Sequence, residues 1–271
     1  MKLGLSSCSK PFGEALFEAY AAAGIAAMEI SYHRPETDAM DFAQARRWAQ
    51  AYGVELWSLH LPFAPFNHID PSRPSLAEKT VDYFTQVMRR ANGEAGITRF
   101  IVHPSAEPIP DKDRALRMET AQKSLDRLAV FADSIGAVMC VENLPRTCLG
   151  KNSDEMLTLL TANEALRVCF DTNHLLGEDF APFIEKLADK IVTTHVSDYD
   201  FVDECHWMPG EGKLDWQRLY QTLQAAGYDG VWLYELGFAP PDDLPSRTRD
   251  LTCEDFAENA RKIFCGEMIS G

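Results

Sequence analysis

The sequence predicts a single (β/α)8 TIM barrel spanning residues 1–271. Eight β-like runs alternate with amphipathic helical stretches over a length typical of one such barrel. No break in composition marks a linker, and the Gly-rich first turn that announces an open doubly wound sheet is missing.

The first predicted strand is Lys2 to Ser6. The second, Met28 to Tyr32, follows the breaker Gly24, and the third, Glu55 to His60, follows Gly53. Arg99 to His103 is the fourth. The fifth, Ala137 to Glu142, follows Gly136; the sixth is Arg167 to Asp171, the seventh Ile191 to Val196, and the eighth, after Gly230, Val231 to Leu236. Between them, apolar residues spaced by three and four predict core-facing helices, as in Leu116, Leu125, Leu128 and Phe131, or in Met156, Leu157, Leu159 and Leu160. The connections His60 to Pro74 and His195 to Lys213 are long, and lie on the side of a barrel where sites are built.

Composition narrows the function. An apolar fraction of 46% supports a large core, while 41 acidic against 26 basic residues give a net charge of −15. A surface of that sign repels nucleic acid and anionic lipid, so neither is an expected partner. The first twenty residues lack a signal-peptide apolar region, and no run is long enough for a membrane span, which makes the cytoplasm the expected location. Seven cysteines without a C-x-x-C pair read as reduced thiols, with Cys140 and Cys169 inside apolar runs.

The chemistry lies at the strand ends. His60, His103, Glu142, Asp171, His195 and Glu235 terminate six consecutive predicted strands, and in a barrel those ends converge on one mouth. One such residue is ordinarily a solvated loop residue or a helix cap. Carboxylates clustered in register repel one another unless a cation sits among them. Glu142, Asp171, His195 and Glu235 are therefore the expected ligands of one divalent metal ion, Mn2+ first, with Mg2+, Co2+ or Zn2+ as alternatives. Four protein ligands leave two positions of a six-coordinate ion for adjacent substrate oxygens, and Glu142 and Glu235, from opposite sides of the mouth, form an acid/base pair. His174 is a second ligand or a substrate contact. His206, ahead of a PGEG turn, is a substrate contact or a solvated loop residue. Asp198 is a loop-organising or ligand-orienting residue, Arg146 a surface ion-pairing residue in preference to a contact for a substrate carboxylate or phosphate, and Lys213 a surface charge. Tyr32, Phe63, Phe66, Trp207 and Phe238 could stack on a sugar ring, and Trp57 and Trp232 read as core. Cys140, Cys169, Thr193 and Leu233, each two residues before a ligand, should fill the layer beneath it.

On VMCVENLP around Glu142, VCFDTNH ending at His174, TTHVSD around His195, HWMPGEGKLDW from His206, and WLYEL around Glu235, nearly the whole chain resembles the xylose-isomerase-like superfamily of sugar isomerases and epimerases. That superfamily also includes the endonuclease IV class. The resemblance to ketose 3-epimerases implies the same four metal ligands, with both glutamates as acid and base and His174 on the substrate. SLHLPF and IVHPS resemble the sugar phosphate isomerase branch, implying that His60 and His103 face the site. An arginine that contacts sugar hydroxyls in the ketose epimerases is replaced here by DYDFVDECHWMP, so their particular substrate does not carry over, and His206 is the candidate replacement contact.

The expected activity is thus isomerisation or epimerisation of a sugar, sugar phosphate or polyol derivative through a metal-bound enediolate. Self-association into a homo-oligomer is compatible with it. Alternatives are an inosose-type dehydratase, one subunit of a C-glycoside-cleaving enzyme, a three-zinc phosphodiesterase like the AP endonucleases, and a non-catalytic sugar-binding barrel.

Overall fold

The computed structural model describes residues 1–63, 68–244 and 246–269. Eight parallel strands, β1 (Lys2–Ser6), β2 (Ala27–Ser31), β3 (Glu55–His60), β4 (Arg99–Val102), β5 (Val138–Glu142), β6 (Arg167–Asp171), β7 (Ile191–His195) and β8 (Val231–Tyr234), follow one another around a barrel, with β1 also pairing β8. The seam between β7 and β8 is closed through Val196, whose N–H donates to Leu233 O at 2.8 Å and whose carbonyl accepts from Glu235 N at 3.1 Å. The predicted strands hold to within one or two residues at each end. His103 and Glu235 fall one residue past their strands, on the C-terminal rim.

The outer layer is formed by α1 (Glu14–Ala22), α2 (Arg34–Ala39), α3 (Phe42–Tyr52), α4 (Ala77–Arg90), α5 (Asp111–Ser134), α6 (Ser153–Leu160), α7 (Phe180–Leu187), α8 (Trp216–Ala225) and α9 (Cys253–Cys265). Their starts are written in the sequence. Asp41, Asn152, Asp179 and Asp215 each accept a backbone N–H from the first turn of α3, α6, α7 and α8. At the other end of α3, Gly53 turns the chain at φ 68°, a left-handed conformation that glycine adopts without a Cβ penalty.

Strand parity sorts the core into two layers. Phe17, Phe84, Phe100, Phe170, Phe183 and Phe256 pack between strands and helices, each fully or almost fully buried and each contributing about 1.5–3 kcal/mol. The alternate strand residues fill the barrel. Ala27, Trp57, Val231 and Leu233 make one inner cluster and Ile101, Cys140 and Cys169 another, while Trp57 Nε1 donates to Thr193 Oγ1 at 3.0 Å. The four residues expected beneath the ligands thus lie in the barrel interior, and Trp57 and Trp232 are buried as expected. Two helix positions need correction. Leu116 and Leu157 are 55% and 40% exposed, because the apolar stripes of α5 and α6 run through Leu125 and Leu128, and through Met156, Leu159 and Leu160, which leaves these two on the outer face. All seven cysteines are free, and among the described residues no helix is long and apolar enough to cross a membrane.

Candidate active site

Inward-facing positions at the ends of β5, β6, β7 and β8 bring Glu142, Asp171, His195 and Glu235 together, each offering one ligand atom within 4.8 Å of the others. His195 Nδ1 lies 3.0 Å from Glu235 Oε2, 3.3 Å from Glu142 Oε1 and 3.8 Å from Asp171 Oδ2. Glu142, Asp171 and His195 are completely buried, and Glu235 nearly so.

The hydrogen bonds around this cluster point away from its centre. Glu142 Oε1, Asp171 Oδ2 and His195 Nδ1 are buried and make no hydrogen bond, whereas the far atoms of the same side chains are engaged. Glu142 Oε2 lies 3.0 Å from His60 Nε2 and 3.3 Å from His103 Nε2. Asp171 Oδ1 accepts from Asn173 N at 2.6 Å. His195 Nε2 lies 3.1 Å from Glu29 Oε2. With Nε2 donating to Glu29, a neutral His195 turns its Nδ1 lone pair toward carboxylate oxygens, a repulsive arrangement that is relieved by positive charge, either a proton on the ring or a cation at their centre. The residues present therefore fit a divalent ion.

Glu29 was not among the candidates read from the sequence. It sits inside β2, at a register shift relative to β3, and faces the barrel interior, where Ser58 Oγ also donates to it at 2.7 Å. The available signal was a lone carboxylate between Met28 and Ile30 in a strand buried at every position.

The carboxylates and imidazoles of the cluster share protons unevenly. Burial, reinforced by Glu142 and Glu235, pushes Asp171 up to about 8. Burial also disfavours ionised Glu142, but His195 and His103 more than offset it and hold its carboxyl well below the usual range. Glu235 is held at about 2, burial being outweighed chiefly by His195. Among the imidazoles, burial is overcome at His60, which Glu142 raises to about 9, and at His174, raised by Asp171, Glu142 and Glu204. At His103 burial prevails and lowers it.

The other expected contacts surround this centre. His60 and His103 reach it through Glu142. His174 Nδ1 lies 2.9 Å from Asn143 O, and its Nε2 lies 3.1 Å from Glu204. His206 approaches from the rim, at φ 51°, with Nδ1 3.3 Å from Glu235 O and its ring 5.9 Å from that of His174. His174, Glu204 and His206 form a separate group able to hold an ion. Glu204 is a further residue that strand-end reading did not find, since it comes from the long loop after β7. Burial disfavours its charge, yet His174 and Arg146 bring it down to about 2.

Arg146 pairs with Glu107, Asp203 and Glu204, and Lys213 is exposed, as expected of both. Asp198 organises the loop after β7: its carboxylate accepts from the N–H groups of Tyr199, Gly210, Gly212 and Leu214 and from Trp216 Nε1. Of the aromatics, Phe63 stacks on His103 with ring centres 4.4 Å apart. Tyr32 donates to Lys10 O, Trp207 to Asp243, and Phe238 packs on Phe256. Phe66 lies outside the described residues. Two clefts open beside the cluster: one of about 230 Å³ past His103, Arg146, His174 and Glu204, and one of about 790 Å³ past Cys8, Tyr32, Trp48 and Phe63.

Comparison with known proteins agrees with this architecture. The model of a family described as xylose isomerase-like TIM barrel matches residues 17–252. A fructoselysine 3-epimerase of Escherichia coli O157:H7 is 27% identical over 120 residues, 42% of this chain and 44% of that protein. The match thus spans less than half the length of that relative. A probable endonuclease 4 of Staphylococcus epidermidis is 21% identical over 73% of this chain and 69% of its own length. Among solved structures, a D-tagatose 3-epimerase-like protein superposes with a TM-score of 0.80 at 22% identity, covering 98% of this chain and 96% of that one. A D-psicose 3-epimerase with D-tagatose from Clostridium cellulolyticum H10 gives 0.78 at 18% identity, covering 98% of both chains. At these identities the two structures establish the likeness of fold.

Proposed function

Because the chain belongs to the xylose isomerase-like TIM barrel family, we propose that it is a divalent-metal-dependent isomerase or epimerase of a sugar or polyol derivative. The observation that carries this reading is the convergence of Glu142 Oε1, Asp171 Oδ2 and His195 Nδ1, buried and without hydrogen bonds, beside Glu235. These four residues would hold the ion, with Mn2+ the first choice for a set rich in carboxylates. When bound, such an ion draws electron density from adjacent substrate oxygens and so acidifies the hydrogen on the carbon beside the carbonyl.

The protein's own groups do the proton work. One of Glu142 and Glu235 takes the proton from that carbon, and the other returns a proton, from the opposite face for epimerisation. His60 and His103 hold Glu142 from behind, fixing the orientation of its carboxylate. Glu29 fixes the ring of His195. In this reading His174, buried beside Glu142 and Asp171, and His206, beside Glu235, contact substrate hydroxyls, and Phe63 stacks on His103.

A second reading, metal-assisted phosphoester hydrolysis, is favoured by one observation. Among the described residues, His60 with His103 and Glu142, the four-residue cluster, and His174 with Glu204 and His206 could each hold an ion, and only Glu142 is shared between them. The net charge of −15 opposes a DNA substrate. Metal analysis by plasma mass spectrometry, on protein purified without chelator and on Asp171→Ala and His195→Ala, separates the two. About one ion per chain, lost in both variants, supports the isomerase. About three zinc ions per chain support the hydrolase, and no ion after Mn2+ is added back sinks both.

A further inference from the structure

The larger cleft is not accounted for by sugar chemistry. Its volume of about 790 Å³ lies within the range of roughly 300–1,000 Å³ that accommodates drug-sized molecules, well beyond one small sugar. It is lined by none of the four cluster residues but lies next to them. Lys10, in its wall, donates to the carbonyl of Leu236, the neighbour of Glu235, and Phe63 lies 5.1 Å from the ring of His60. It runs outward between the loop after β1 and the helices α2 and α3. Phe12, Tyr32, Met40 and Trp48 make an apolar wall there, with Phe12 edge-on to Tyr32 at 5.6 Å and to Trp48 at 6.2 Å.

Charge decides what such a wall can receive. Among the described lining residues the only lysine or arginine is Lys10, and its ammonium is spent on three carbonyl oxygens, those of Ser6, Cys8 and Leu236, at 2.9, 3.2 and 2.7 Å. Nearby Arg34 is held by Asp38, 3.3 Å away, and lies on the ring of Tyr83. The rim instead offers the exposed carboxylates of Glu36 and Asp41. The remaining basic group of the lining is the imidazole of His33, edge-on to Phe63 at 5.8 Å, so a phosphate or carboxylate placed here would meet two carboxylates and, among the described lining residues, no lysine or arginine that is not already engaged.

We propose that this cleft binds an apolar arm of the substrate that ends in a positive charge, so that the substrate is a sugar or polyol carrying an amine-terminated apolar group and not a sugar phosphate. The identification of the arm's carrier rests on the isomerase reading; the arm's chemistry rests on the cleft alone. Trp48 reports it directly.

The experiment titrates the full-length protein with 4-phenylbutylamine, 4-phenylbutanol and 4-phenylbutyrate while following tryptophan fluorescence, with Trp48→Phe and Glu36→Gln as variants and circular dichroism as the check on folding. The amine is expected to bind about fivefold more tightly than the alcohol, the size of one exposed ion pair, and more tightly still than the acid. The fluorescence response should vanish in Trp48→Phe, and the advantage of the amine should shrink in Glu36→Gln, whose exposed position leaves the fold intact. Equal or tighter binding of 4-phenylbutyrate overturns the proposal, as does a lack of response to all three at millimolar concentration. No turnover is read, so these results stand apart from the outcome of the metal analysis.

Discussion

Nε2 of His195 lies 3.1 Å from Oε2 of Glu29, and Ser58 Oγ donates to the same oxygen at 2.7 Å. The pair is completely buried, so Glu29 fixes the angle at which His195 presents Nδ1 to the carboxylates. Replacing Glu29 by Gln keeps the shape and removes the charge. Affinity for Mn2+ is expected to fall about ten- to hundredfold, as is usual for groups that support a metal ligand. Titration of the chelator-treated protein followed by electron paramagnetic resonance measures it, and an unchanged affinity would remove Glu29 from the site.

Glu142→Gln and Glu235→Gln each delete one member of the proposed acid/base pair while leaving the volume unchanged. Both variants should keep the far-ultraviolet circular dichroism of the parent and lose turnover by at least about a hundredfold. Exchange of substrate hydrogen with deuterated water is the sharper readout. If both variants still exchange at the parental rate, the glutamates are not the proton carriers.

The ion-free protein should become less stable as pH rises, and the metal-loaded protein should not. Burial raises Asp171 to about 8, above its unfolded value, and Glu142 helps raise His60 to about 9 against burial. For both groups the native state holds protons that the unfolded chain has released, so the stability they confer is complete below the unfolded values and is lost as pH climbs toward 8 and 9. Glu235, held at about 2, acts in the opposite sense only in acid. A bound cation replaces those protons and flattens the slope. Thermal melts between pH 6 and 9, with chelator and with Mn2+, test this; parallel curves would contradict it.

Asp198 is the structural counterpart of these functional acids. Its carboxylate accepts from Gly210, Gly212 and Leu214 backbone N–H groups and from Trp216 Nε1, all on the loop and helix that follow β7. Asp198→Ala strands several buried donors, at about 1–3 kcal/mol each before relaxation, so a loss of roughly 3–5 kcal/mol is expected in urea unfolding. Gly212→Ala should perturb the same loop, because a Cβ there would lie 2.4 Å from both Asp198 Oδ1 and Tyr199 O. A loss under about 1 kcal/mol for Asp198→Ala would mean that water satisfies these donors.

The strands and six strand-end residues were readable because a barrel imposes one simple rule: the last inward residue of each strand meets the others at the mouth. Glu142, Asp171 and His195 obey it directly. Glu29 escaped because it lies mid-strand, inward like Ala27 two residues before it, and a reading confined to strand ends passes over that layer. Glu204 escaped for another reason, since loop conformation places it and no periodicity encodes that. Leu116 and Leu157 looked like stripe residues because leucines three or four apart admit two neighbouring faces, and only packing chooses between them.

The β7–β8 seam gives the site a mechanical meaning. Two backbone hydrogen bonds through Val196 join these strands, and beside them stand His195, the last residue of β7, and Glu235, one residue past β8. An ion shared by those two side chains would bridge the barrel where its ladder is thinnest, acting as a clasp on the cylinder as well as a reagent. The amide hydrogens of Val196 and Glu235 would then exchange with solvent more slowly once the clasp is shut, coupling the integrity of the barrel wall to the same event that arms the catalytic carboxylates.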